Sequence, residues 1–191
     1  METNEVRSIQ SQMTADESRT VYGRAVIFES ESNDLGWIET IKRGAITQEL
    51  LDNSDVFARM NHSDDYVLAR SKKGEGSLVL ELRDDGVYYL FEAPNTEKGN
   101  ELLEHIKRGE ITASSFAFRV AKEEGAERWY KDENGTIRRD IYKIDYLGDI
   151  APVFREAYTG TSCSIRGEEM TKLSSEIDAK MDLLKQEIDR L

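Results

Sequence analysis

Two hairpin signals, with no alternation of strand and helix between them, constrain this chain most. Leu78, Leu80 and Leu82 alternate with Val79 and Glu81, Asp84-Asp85-Gly86 turns the chain, and Val87, Tyr89 and Phe91 run back. Gly86 is expected to supply the positive φ of a three-residue hairpin loop. Asn134-Gly135, the favoured pair for a type I′ turn, is expected to join strands over 128–131 and 136–146. Strands that return through tight turns pair antiparallel. The pattern therefore predicts an α+β domain, a mostly antiparallel sheet closing or nearly closing into a β-barrel flanked by helices.

The elements around the hairpins follow from spacing. Val21, Gly23, Ala25 and Ile27 alternate with their neighbours as in a strand from Thr20, 30–36 reads as a loop, and 47–51 as a short helix. Asn95 or Thr96 can cap a helix to about Arg108, with Leu102, Leu103 and Ile106 as its buried stripe and Gly109 as terminator. A strand over 112–122 follows, and Pro152 places the last apolar piece, 150–154, at an edge or bend. Residues 1–18 are polar and without period, which predicts a disordered arm; 19–165 form the domain. In the tail, 166–191, Leu173, Ile177, Met181, Leu184, Ile188 and Leu191 share one face of an amphipathic helix expected to pack on the domain or on a second copy, as a homo-oligomer contact.

Composition narrows the function. A formal net charge of -12 argues against a nucleic-acid partner held by phosphate contacts. No apolar run approaches the roughly 18 residues of a membrane helix, and the N-terminal residues lack the apolar segment of a signal peptide, so an intracellular protein without membrane association is expected. One cysteine, Cys163, excludes an internal disulfide.

Two histidines limit general-base chemistry to His62 and His105. His105 falls in the last turn of the expected helix, where the helix dipole alone accounts for it. His62 stands in Arg-Met-Asn-His-Ser-Asp-Asp, at the edge of an apolar segment. One His beside Asp64 and Asp65 makes a poor metal site, so neither metal nor cofactor is expected. A proton-shuttling imidazole needs a hydroxyl or thiol partner. Period two along Ala113 to Val120 puts Ser114 with Phe116 and Phe118 on a core face, and Ser115 with Ala113 and Ala117 on a face with room for a substrate. Two strand serines making ordinary hydrogen bonds fit the same pattern, and Cys163 beside Arg166 is the rival nucleophile.

Four segments together resemble a known family. They are Tyr22-Gly23-Arg24-Ala25-Val26 with Phe28, Asn61-His62 after a short helix, Gly109-Glu110-Ile111-Thr112-Ala113-Ser114-Ser115-Phe116-Ala117-Phe118, and Leu147-Gly148-Asp149-Ile150-Ala151-Pro152-Val153 with Ala157-Tyr158 beyond. In order and spacing, over roughly 20–162, they are similar to the prohead serine proteases of tailed bacteriophages. The resemblance implies a fold like that of herpesvirus capsid proteases. It also implies a serine endopeptidase in the host cytoplasm, inside the assembling prohead, cutting scaffold or the scaffolding segment of the major capsid protein, and commonly itself.

By motif match His62 falls on the family's histidine and Ser115 on its serine. Asp149 stands where the family often has Glu and becomes the third member, with Asp145 as its neighbour in sequence. Arg119, Arg138 and Arg139 are candidates for lending positive charge to an oxyanion. Two rivals remain: a non-enzymatic capsid or scaffold interaction protein, and a hydrolase built on Cys163 and His62.

Overall fold

Alternating apolar residues become strands, and the computed structural model describes them over residues 4–10, 14–15 and 19–154. The strands are β1 (Glu5–Gln10), β2 (Thr14–Ala15), β3 (Thr20–Ile27), β4 (Ile38–Ile41), β5 (Asp55–Arg59), β6 (Val67–Lys72), β7 (Glu75–Gly76), β8 (Leu78–Arg83), β9 (Gly86–Glu92), β10 (Ala113–Val120), β11 (Glu127–Lys131), β12 (Ile137–Ile141) and β13 (Ile144–Val153). Helices α1 (Gln48–Asn53) and α2 (Glu97–Lys107) and one 3-10 turn, Met60–His62, join them. Thr96 caps α2 by accepting from the Gly99 N–H, and Leu102 and Ile106 bury the expected stripe. The tail helix expected over 166–191 lies outside the described residues.

Among the described residues three sheets result, in the orders β1-β10-β13-β5-β6-β7, β2-β3-β9-β8 and β11-β12-β4. The mostly β, α+β character agrees with the sequence, but the barrel does not: among the described residues no sheet closes on itself. The reason is range. Hairpin signals report pairs adjacent in sequence, whereas closure depends on distant pairings, and here two of those, β5 with β13 and β4 with β12, are parallel. Between the layers Tyr89 and Phe91 of β9, Phe116 and Phe118 of β10 and Leu102 of α2 are fully buried. Each such side chain contributes about 1.5–3 kcal/mol by leaving water.

Both turns differ from expectation in detail. Arg83 pairs with Gly86, leaving a two-residue loop, and Gly86 does not have positive φ. Glycine is needed there because a Cβ would stand 2.0 Å from the Val26 carbonyl oxygen. At the second hairpin only Gly135 has positive φ, at 80°, so the turn is not type I′. The Asp132 side chain accepts from the Asn134 and Thr136 N–H groups and closes it.

The larger difference is β1. Residues 5–10, expected in a disordered arm, pair antiparallel with β10 from Glu5 opposite Phe118 to Gln10 opposite Ala113. Charge pairing ties the strand to the domain, which hydropathy does not register. Arg7 donates through Nε and Nη2 to the two carboxylate oxygens of Glu39 at 2.7 and 2.8 Å. Arg139 of β12 adds a bond to Glu39 at 3.0 Å and one to Glu5 at 2.8 Å.

Candidate active site

The parity reading of β10 holds in the structure. Ser114 turns into the core, where its hydroxyl meets the Tyr89 hydroxyl at 2.7 Å, and Ser115 turns to the opposite face. Across the sheet Ser115 lies opposite Ala151 of β13, and Asp149 lies opposite Ala117. Two residues along each strand restore the same face, so Ser115 and Asp149 share it. On its other side Asp149 is paired with Phe57 of β5. The chain leaving β5 enters the 3-10 turn with Asn61 and His62 at φ 52° and 58°. Consecutive non-glycine residues in the left-handed region cost free energy, and such strain concentrates where a side chain must be aimed.

The aim of His62 is toward both partners. Its Nε2 stands 2.6 Å from Ser115 Oγ and its Nδ1 stands 2.7 Å from Asp149 Oδ1. Because a carboxylate only accepts, Nδ1 carries the proton it donates there, which leaves the Nε2 lone pair toward the serine. Ser115 and Asp149 are almost fully buried, at 1% and 4% exposure. Asn61, His62, Ser115, Val153, Phe154 and Ser8 enclose an open cleft of about 380 Å³. A larger cleft, bounded by β6 and the start of α2, touches none of the three residues.

Arg59 belongs to this arrangement and was not singled out from the sequence. Its Nη1 lies 3.4 Å from Asp149 Oδ2 and 3.0 Å from Asp64 Oδ1. The signal available was its place three residues before His62, at the end of β5, on the face that Phe57 shares.

The other candidates are elsewhere. His105 stands in the last turn of α2, with Nδ1 2.6 Å from Glu110 and its ring edge-on to Phe154. Asp145 accepts from Arg119 at 2.9 Å, Arg138 pairs with Asp132 and Glu31, and Arg139 is committed to Glu5, Glu39 and Glu127. In these pairings the three arginines face carboxylates other than Asp149. Cys163 lies outside the described residues.

A serine oxygen, an imidazole and a buried carboxylate in one hydrogen-bonded row is the arrangement by which serine hydrolases attack an acyl carbon. The chain belongs to a particular family of them: residues 3–176 match the model of the caudovirus prohead serine proteases. It is thus a capsid-maturation serine protease by family. No curated protein matches it, and no solved structure does. The expected likeness to herpesvirus capsid proteases therefore rests on the sequence resemblance alone.

Proposed function

We propose that Ser115, His62 and Asp149 hydrolyse peptide bonds of scaffold, or of the scaffolding segment of the major capsid protein, inside the assembling prohead in the host cytoplasm, and cut this chain as well. The observation that carries the reading is the continuous row Ser115 Oγ, His62 Nε2, His62 Nδ1, Asp149 Oδ1, with both contacts under 3 Å. In the first step Ser115 Oγ attacks the scissile carbonyl carbon while Nε2 takes its proton. The imidazolium then gives that proton to the leaving amine as the C–N bond breaks. Water repeats the sequence on the acyl-enzyme and releases the serine. Asp149 keeps the imidazole in the tautomer that accepts at Nε2 and stabilises its charged form. Arg59, on the other carboxylate oxygen, holds that carboxylate in orientation.

Co-expression with the phage's own capsid and scaffold proteins tests the reading. The native chain is expected to shorten one of them, and Ser115→Ala to lower the rate by about 10⁴-fold or more. A protein that only binds capsid or scaffold would be indifferent to that substitution.

A further inference from the structure

A serine hydroxyl carries one proton, and two acceptors face that of Ser115. One is His62 Nε2 at 2.6 Å; the other is the carbonyl oxygen of Arg7 at 2.7 Å. While the proton is donated to the carbonyl it is not donated to the imidazole, and the oxygen is not activated. The Arg7 contact is made by the carbonyl oxygen as an acceptor from the nucleophile, and so differs from a pose in which that oxygen faces oxyanion donors.

The segment that brings this carbonyl is β1, the outer strand of its sheet, with Ser8 directly opposite Ser115. On the cleft side it contributes Ser8 and leaves Val6 nearly half exposed. Its anchorage is on the opposite face. There Glu39, with no exposure at all, is held by Arg7 and Arg139, and Glu5 bonds both arginines. An extended peptide that adds to a sheet uses the backbone groups of the edge it joins. The β10 edge beside Ser115 is already filled by a six-residue stretch of this same chain.

We propose that β1 is a resident strand in the substrate's seat: Glu5–Gln10 hold the β10 edge, an extended peptide substrate must displace them, and the Arg7–Glu39–Arg139 cluster sets how firmly they stay. The consequence for activity rests on Ser115 being the nucleophile; the exchange of strands does not.

Three readings on the full-length chain test this. Native protein, Arg7→Ala and Arg7→Lys are compared for hydrogen exchange of the β10 amides, for binding of a labelled peptide of sequence 4–11, and for the rate of Ser115 modification by a fluorophosphonate. Arg7→Ala is expected to speed amide exchange, to bind the peptide ~10-fold more tightly and to be labelled ~10-fold faster, since apparent affinity rises with the fraction of chains whose seat is open. Arg7→Lys falls between. Unchanged binding and labelling in an Arg7→Ala protein with native circular dichroism would overturn the proposal. Should that variant fail to fold, Glu5→Gln carries the same expectations in smaller measure, and its identity with the native protein in both readings overturns the proposal equally. Tighter peptide binding with no labelling of any form would leave the seat standing and refute the protease reading; equal labelling and equal binding in all forms would do the reverse.

Discussion

Asp149→Asn replaces one carboxylate oxygen by an amide nitrogen, and Arg59 decides which one. Arg59 only donates, and its Nη1 stands 3.4 Å from Oδ2. The amide oxygen is therefore drawn to Arg59, and the NH₂ group is left facing His62 Nδ1 across the 2.7 Å contact. A donor at that position requires Nδ1 to accept, which moves the imidazole proton to Nε2. That proton then points at Ser115 Oγ, and the base is lost although no atom has moved far. A wrong tautomer of this kind costs about 10⁴ in kcat, or about 5.5 kcal/mol at 1.36 kcal/mol per decade. With Arg59→Ala added, the amide is free to turn its oxygen to Nδ1, so the double variant should recover part of the loss, about tenfold or more. Initial rates on a peptide substrate for the four forms of this cycle give the coupling. Strict additivity, or a loss under tenfold in Asp149→Asn, would refute the tautomer argument.

Other outcomes follow from single contacts. Ser114→Ala removes the 2.7 Å bond between the buried Ser114 and Tyr89 hydroxyls and should cost about 0.5–1.5 kcal/mol in urea unfolding while kcat stays near native, the opposite of Ser115→Ala. Leu102→Ala empties a fully buried site and should lower stability by about 2–5 kcal/mol, seen as a fall in Tm. Burial works to raise the Glu5 carboxyl, but the Arg139 and Arg7 guanidinium groups outweigh it and hold it below its ordinary 4.5. A depressed carboxylate contributes stability above its unfolded value and loses it as pH falls through the folded one. Amides along β10 should therefore exchange faster, relative to their intrinsic rates, below about pH 4.5, and Arg139→Ala should make that pH dependence smaller.

What the sequence made legible was local. The Thr96 cap and the Leu102 and Ile106 stripe lie within one helix, and period two along β10 separated Ser114 from Ser115 without knowledge of any partner strand. Parity could not do the same on β13. The register shifts between Ala117 and Phe118, whose partners are Asp149 and Leu147, so Gly148 is an extra residue and counting back to Asp145 fails across it. The strand β1 was hidden for another reason. Arg7 on it is buried, and a buried arginine looks like surface until Glu39 and Arg139, distant in sequence, are brought beside it. Arg59 gave only its place three residues before His62, because its value depends on Asp149, 90 residues on.

The most direct measurement is the site of covalent modification by a fluorophosphonate, read by peptide mass spectrometry on the native chain and on His62→Ala. The account predicts a single adduct on Ser115 in the native protein and its loss, or a rate lower by about 10³-fold or more, when the imidazole is removed. An adduct on Ser114 or Cys163, or labelling of Ser115 that does not depend on His62, would contradict it.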